Sequence, residues 1–262
     1  MNKIEICKKL EKIVVKVAVF DGKILKSTGT GVVIRKDGIL LTANHVIENY
    51  KSLSDPKIVI VAKSNKEKAL HLEYEPVFAD VSLDMQMPQF LAPLEIDLAI
   101  LRPKNKADFE FDFILLDDEI VPVGTDVIMA GFPDEVKLPL DFASKLDFSN
   151  KELKGKETDI NQALSFFMAL RMVKSGMVGA MHRITLNSKF NSKIINIKGA
   201  SYWIDNVCTF GASGGAVVNS DCKLVGIMCQ KAMTQFLPQI DIPSGSTMAL
   251  SHKLITWFMS YC

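Results

Sequence analysis

Short apolar runs separated by polar turn residues make up most of this chain. Runs rich in valine, isoleucine or leucine recur at residues 13–20, 24–34, 39–43, 57–62, 70–78 and 98–101. Branched apolar residues favour strands, and many short strands with turns between them indicate a sandwich or a barrel. The same pattern resumes near Val121, after a polar, acidic stretch that we interpret as a linker (105–112). With 262 residues, such a chain can form one large β domain or two small barrels.

Two segments near the ends of the chain predict helices. Residues 2–11 predict a short helix that places Ile4, Cys7 and Leu10 on one side. Residues 246–260 predict the clearest helix, with Ser246 as its N-cap. The apolar residues that share one face of this helix are Leu250, Leu254, Ile255, Phe258 and Met259.

Charge and cysteine content exclude several classes of function. The chain has 31 basic and 30 acidic residues, so we expect neither nucleic acid nor an anionic membrane as a partner. The first nine residues lack the apolar region of a signal peptide, which predicts a cytoplasmic location. Five cysteines without a Cys-x-x-Cys or His-x-x-x-His pairing favour reduced, buried thiols. We therefore expect no metal and no cofactor.

Three polar residues stand beside apolar runs in an order that suggests nucleophilic catalysis. His45 follows Leu41-Thr42-Ala43-Asn44, Asp97 precedes 98–101, and Ser213 lies within Gly-Ala-Ser-Gly-Gly. A serine hydroxyl needs a base to take its proton, and a carboxylate behind an imidazole fixes its tautomer and stabilises the imidazolium. Asp80 and Asp84 are competing carboxylates, but only Asp97 is followed by an apolar strand that would hold it.

Around these segments the chain resembles the chymotrypsin-type serine proteases, and most closely their HtrA/Deg-like branch. The similar segments are 28–42 with its Asp37-Gly38 turn, 123–133, Ser175-Gly176-Met177-Val178 and Asp241-Ile242-Pro243-Ser244. The resemblance implies two packed antiparallel β-barrels with a C-terminal helix. The first domain would be residues 1–112, with the N-terminal helix, His45 and Asp97. The second would be residues 113–262, with Ser213, an insertion at 134–171 and the helix at 246–260.

The resemblance also implies a role for each matching residue. His45 would be the general base, Asp97 its orienting acid and Ser213 the nucleophile, with the N–H groups of Gly211 and Ser213 forming the oxyanion hole. By the same resemblance, Val207, six residues before Ser213, would form the floor of the specificity pocket, with Cys208 beside it. An apolar floor leaves a basic side chain unpaired, so we expect cleavage of proteins or peptides after small or medium apolar residues.

Other features bear on regulation. Ala212 cannot form the ion pair that a freed N-terminus makes in zymogen-activated relatives, so we do not expect activation by cleavage. The chain stops after the predicted helix, so we expect no PDZ domain. The insertion at 134–171 is either a lid that responds to a regulatory protein partner or a structural addition that packs on the barrel and has no regulatory role. Within it, residues from Thr158 could form a helix, or residues 166–172 could extend a strand.

Two functions other than serine proteolysis also fit parts of the sequence. Gly211-x-Ser213-x-Gly215, followed by Asp241 and His252, also fits the nucleophile elbow of α/β-hydrolases. That fold needs a helix directly after the serine, whereas residues 216–227 predict a β-hairpin, so we reject it. The remaining alternative is a catalytically silent protein of this fold that binds protein partners. The oligomeric state stays open.

Overall fold

Two closed β-barrels, each of six antiparallel strands, form the described part of the chain. The structure is a computed structural model that describes residues 1–63, 69–83, 94–133, 170–190, 193–208, 211–237, 240–257 and 259. The predicted fold class, an all-β chymotrypsin-like pair of barrels with a C-terminal helix, is confirmed. Residues 134–169, nearly all of the insertion predicted at 134–171, lie outside the described residues.

The first barrel follows the apolar runs of the sequence closely. Its strands lie side by side in the order β1, β2, β3, β8, β5, β4, and β6 pairs with β7 in a separate two-stranded sheet. The bounds are β1 Val14–Asp21, β2 Ile24–Val33, β3 Leu40–Thr42, β4 Pro56–Lys63, β5 Ala69–Phe78, β6 Val81–Leu83, β7 Leu94–Ile96 and β8 Ala99–Pro103. Each run predicted between residues 13 and 101 contains one barrel strand, because branched apolar side chains pack well inside a closed sheet.

The second barrel contains the region around Ser213. Its strands lie in the order β10, β11, β14, β13, β12, β9. The bounds are β9 Asp126–Gly131, β10 Met172–Phe190, β11 Lys193–Ile204, β12 Ala216–Val218, β13 Leu224–Leu237 and β14 Ile240–Ser251. Strands β12 and β13 pair directly as the predicted hairpin, with Cys222 in the turn at φ 56°. A strand therefore follows Ser213, which excludes the α/β-hydrolase elbow.

The N-terminal helix is present but buries a different face from the one predicted. Helix α1 (Lys3–Ile13) begins with a capping box in which Asn2 and Glu5 exchange hydrogen bonds of 2.9 Å. Its buried residues are Ile6, Leu10 and Ile13, whereas Ile4 is 69% exposed. Strand β1 continues directly from the helix, so Ile13 is fixed inside the core and defines the buried stripe.

The predicted helix at 246–260 is wrong over its first half. Residues up to Ser251 belong to β14, and helix α2 covers only Lys253–Thr256. Thr247, Ala249 and Ser251 are buried in strict alternation, and this part of β14 pairs with β11 on one side and β13 on the other. Pairing on both sides outweighs the helical spacing of the apolar residues, and Ser246 is not an N-cap. Leu254 and Ile255 are buried in α2 as predicted.

The apolar core extends from one barrel into the other. Leu41 and Ile100 of the first barrel belong to the same buried cluster as Ile128 and Ile227 of the second. Each barrel also has a smaller cluster of its own. As far as the chain is described, no helix is long and apolar enough to cross a membrane.

Candidate active site

His45 and Asp97 are brought together by two neighbouring strands of the first barrel. His45 lies in a short 3₁₀ turn, Asn44–Val46, that follows β3 after the buried Ala43. Asp97 lies between β7 and β8, where the N–H of Leu98 donates to the carbonyl of Ile96 at 2.7 Å. Strands β3 and β8 pair directly, so their two adjoining turns meet at the same end of the barrel.

The carboxylate of Asp97 holds His45 at two points. Asp97 Oδ2 lies 2.8 Å from His45 Nδ1, and Asp97 Oδ1 accepts the backbone N–H of His45 at 2.9 Å. Nδ1 is therefore the protonated nitrogen of the neutral ring, which leaves Nε2 with a lone pair. The hydrogen bond that the ring donates to Asp97 raises the pKa of His45, against a smaller lowering by burial. A histidine in this setting can act as a base once it is neutral.

A polar contact that the sequence analysis missed fixes the turn that contains His45. Asn44 Nδ2 donates to Asp80 Oδ1 at 3.0 Å, and its Oδ1 accepts the N–H of Asp80 at 2.7 Å. Lys51 Nζ also donates to Asp80 at 2.8 Å and lowers the pKa of that carboxyl. Asp80, one of the competing carboxylates, is thus bound to Asn44 rather than to His45. Asp84, the other one, lies outside the described residues.

Residues 211–215, which we call the Ser213 turn, have a conformation that depends on glycine. Gly211 and Gly214 have φ values of 82° and 86°. A Cβ at Gly214 would lie 1.9 Å from the carbonyl oxygen of Thr30 and 2.4 Å from Thr42 Oγ1. The turn is closed by the N–H of Gly215, which donates to the carbonyl of Ala212 at 2.9 Å. Only glycine combines this backbone geometry with so close an approach to β2.

Thr30 of the first barrel holds the Ser213 turn of the second. Its N–H donates to the carbonyl of Ser213 at 2.8 Å, and its hydroxyl donates to the carbonyl of Gly211 at 2.9 Å. The same hydroxyl accepts the N–H of Phe132 at 2.9 Å. Thr30 is fully buried, so these three hydrogen bonds link β2, β9 and the turn. Sequence analysis missed this role, although Thr30 lies within the Thr-Gly-Thr-Gly segment used for the resemblance.

The hydroxyl of Ser213 points at a backbone carbonyl. It donates to the carbonyl of Cys229 at 3.1 Å, and the thiol of Cys229 lies 3.4 Å from the carbonyl of Asp97. Cys229 therefore touches both Ser213 and Asp97. The N–H groups of Gly211 and Ser213 have no acceptor among the described residues. Two such N–H groups next to a hydroxyl can stabilise an oxyanion.

Val207 and Cys208, the predicted pocket residues, are half-buried beside a lysine. Lys174 Nζ donates to the carbonyl of Val207 at 2.5 Å. The N–H of Cys208 donates to Thr247 Oγ1 at 2.7 Å, and that hydroxyl donates to the carbonyl of Asn206 at 2.7 Å. Burial raises the pKa of the Cys208 thiol. These bonds fix the segment that leads to the Ser213 turn.

His252, which the rejected elbow would have used as a base, has a structural role. Its ring is 1% exposed, with Nε2 2.9 Å from the carbonyl of Asp117 and Nδ1 3.3 Å from that of Val225. Burial lowers its pKa. The side chain of Asp241 lies outside the described residues. Within the described ranges, no group of three or more His, Cys, Asp or Glu side chains could hold a metal ion.

Comparison with known proteins adds a family and a fold. The model of the trypsin-like peptidase domain family matches residues 29–227. The active form of the Rv3671c protease from M. tuberculosis is similar over 97% of this chain and 82% of its own, at 16% identity and a TM-score of 0.58. Its inactive form is similar over 98% and 92%, at 15% identity and a TM-score of 0.56. At these identities the two structures show a shared fold. No curated protein matches the sequence.

Proposed function

Since this chain belongs to the trypsin-like peptidase domain family and is a serine endopeptidase, we propose that His45, Asp97 and Ser213 form its catalytic triad. The observation that carries the proposal is the pair of hydrogen bonds by which Asp97 fixes the ring of His45. This pair directs the free Nε2 of His45 away from the carboxylate. In triads of this type the carboxylate sets the tautomer and stabilises the imidazolium that forms.

The first chemical step moves the proton of Ser213 to His45. The hydroxyl turns from the carbonyl of Cys229 towards Nε2, gives up its proton, and Oγ bonds to the carbonyl carbon of the peptide substrate. The negative charge that develops on the carbonyl oxygen is stabilised by the N–H groups of Gly211 and Ser213. His45 then gives the proton to the leaving amine, and water releases the acyl group by the same steps in reverse.

For specificity, we propose cleavage after small or medium apolar residues. Val207 and Cys208 give the pocket an apolar floor, and Lys174 Nζ lies 2.5 Å from the carbonyl of Val207. A lysine or arginine side chain entering this pocket would meet the positive charge of Lys174 and find no carboxylate on the two floor residues, which is strongly unfavourable. Cleavage of a peptide library should therefore show alanine, valine or leucine before the cut. Mainly basic residues at that position would contradict the assignment of the pocket.

The alternative is a silent protein of the same fold that binds protein partners without cutting them. The bond from Ser213 to Cys229, in place of one to His45, is the observation that favours it. Cleavage of an unfolded protein substrate by the wild type, Ser213→Ala and Ser220→Ala distinguishes the two functions. Ser220 is an exposed serine near the same hairpin and serves as the control. Cleavage that only Ser213→Ala abolishes supports the protease, and inactivity of the wild type supports the silent protein.

The HtrA/Deg-like branch, a cytoplasmic location and control by a protein partner at the insertion (134–171) remain proposals. Replacing residues 138–165 with a short Gly/Ser loop tests the last of these. If the insertion is a lid, the shortened protein should fold and differ from the wild type in basal or partner-stimulated cleavage. If the wild type and the shortened protein show the same basal and the same partner-stimulated cleavage, the insertion has no regulatory role.

A further inference from the structure

Three sulfur atoms lie together behind the Ser213 turn. The thiol of Cys208 is 3.2 Å from the thioether sulfur of Met228 and 3.9 Å from that of Met129. The proposed catalysis uses none of the three. We propose that this sulfur cluster, Cys208 with Met129 and Met228, is a binding site for a soft monovalent metal ion, Cu(I).

The ligand set fits Cu(I) better than the ions that were considered from the sequence. Soft thiolate and thioether ligands select Cu(I), whereas zinc sites are built from cysteine, histidine and carboxylate. A site whose other ligands are methionines has no Cys-x-x-Cys or histidine-pair pattern in the sequence. These residues are 79 and 20 positions away from Cys208 along the chain and meet only in the folded barrel.

The distances from Cys208 Sγ to the two methionine sulfurs can be compared with those that a Cu(I) ion requires. Three sulfurs at the metal–thiolate distance of about 2.3 Å from a planar three-coordinate ion lie about 4 Å apart. The separation between Cys208 and Met129 already matches, and that between Cys208 and Met228 must widen by roughly 0.8 Å. A methionine side chain has three rotatable bonds and can make such a change.

The surroundings hold the ligands in place and balance the charge. Met129 on strand β9 and Met228 on strand β13 are each 1% exposed, so their sulfurs are shielded from solvent. The bond from the N–H of Cys208 to Thr247 fixes the third ligand. Binding replaces the thiol proton with Cu(I), and the proton leaves to solvent. The net charge beside Lys174 is therefore unchanged.

An open cleft gives the ion a path to the cluster. Both Met129 and Cys208 lie in its wall. Met172 also lines the cleft and adds a further thioether on the way in. Cys208 is only partly buried and lines the same cleft.

An ion at the cluster would act on substrate binding, and this part rests on the proposed function. Cys208 is one of the two proposed floor residues of the specificity pocket. The backbone of Met228 accepts the N–H of Gly214 at 2.7 Å and donates to the carbonyl of Gly215 at 2.9 Å. The ion would thus lie between the pocket and the Ser213 turn. We expect it to raise KM for a peptide with an apolar residue before the cut and to change kcat little.

The binding test uses the full chain with Ser213→Ala, under anaerobic conditions, with Cu(I) in competition against bicinchoninate. We expect one tightly held Cu(I) per chain, with sulfur-only coordination by X-ray absorption. Loss of an outer-shell partner already costs about 10- to 100-fold in metal affinity, so Cys208→Ser should weaken binding by about 100-fold or more, and Met129→Leu or Met228→Leu by about 10-fold or more each. Leucine conserves the apolar volume of methionine, so the core should remain folded. Cys7→Ser, which removes a thiol on helix α1, is the control and should bind like its parent.

The proposal is overturned if Cys208→Ser retains the tight Cu(I), or if Cys7→Ser loses it. Peptide cleavage by the wild type gives a second, separate result. A rise in KM with Cu(I) that Cys208→Ser abolishes supports the effect on the pocket, and an unchanged KM overturns that effect. If the wild type cuts no peptide at all, the proposed function fails, whereas the binding test still decides the metal site.

Discussion

At the scale of single residues, Asp97 controls both the orientation and the proton affinity of His45. Its two oxygens bind the ring and the backbone of His45 at 2.8 and 2.9 Å. The hydrogen bond that His45 donates to Asp97 is the main reason that the pKa of His45 is raised, and the charge of Glu48 contributes least. In the proposed mechanism the neutral ring is the base, so the raised pKa means that activity should develop at higher pH than for an isolated histidine.

The raised pKa of His45 determines the direction in which the pH profile of cleavage should shift. In the wild type, kcat/KM should rise through a midpoint above the usual histidine value of about 6.5. Asp97→Asn should move that midpoint to lower pH and reduce the maximum by about four orders of magnitude, because the tautomer is no longer fixed. Glu48→Gln should move it only slightly. A wild-type midpoint at or below the ordinary value would contradict the role assigned to Asp97.

The site was only partly predictable from residues. His45, Asp97 and Ser213 stand out because each adjoins an apolar run and their order matches a known pattern. Thr30 and Asn44 do not, because their side chains bond to groups far away along the chain, 181 residues in the case of Thr30 and Gly211. Such contacts leave no local periodicity, so they become visible only in the folded structure.

At the scale of elements, the Ser213 turn depends on how closely it approaches β2. A Cβ at Gly214 would overlap the carbonyl oxygen of Thr30, and its φ of 86° disfavours any other residue. Gly214→Ala should therefore destabilise the protein by about 3 kcal/mol or more and abolish cleavage. Gly124 has a similar φ of 90° with open space around it, so Gly124→Ala should cost only about 1 kcal/mol.

Thermal denaturation of the two alanine variants measures this difference. Equal losses of stability would mean that backbone strain alone matters and that the contact with Thr30 does not.

The elements also show where sequence patterns succeed. Strands β1 to β4 follow the apolar runs because a closed barrel buries nearly every branched residue on its inner face. Residues 246–251 were predicted as helix because their apolar spacing fits a helix as well as a strand. These residues form a strand because β11 and β13 pair with β14 on its two sides. The residues of those two strands lie elsewhere in the chain, so the local spacing does not reveal the pairing.

At the scale of the whole molecule, Arg171 at the end of the insertion adds a further contact between the two barrels. The guanidinium of Arg171, just before β10, donates to the carbonyl of Val14 in β1 at 2.8 Å. It also lies 4.9 Å from the centre of the Phe132 ring. Burial lowers its pKa to about 10, so it remains charged at neutral pH.

Arg171→Ala should therefore lower the free energy of unfolding by about 2 kcal/mol, because it removes a charged hydrogen bond and a cation–π contact. Arg102→Ala is the matched control. Arg102 pairs with Glu75 at 2.7 Å on the exposed surface of one barrel, where such a pair contributes less than about 1 kcal/mol. Urea unfolding of both variants makes the comparison. A larger loss in Arg102→Ala would contradict the bridging role of Arg171.

We infer that this two-barrel molecule contains one activated serine, Ser213. Reaction with a fluorophosphonate probe, followed by intact-protein mass and peptide mapping, tests it most directly. We predict one adduct per wild-type chain, located on Ser213, no adduct in Ser213→Ala, and much slower labelling in His45→Ala. An unlabelled wild type, or an adduct that persists in Ser213→Ala, would contradict the account.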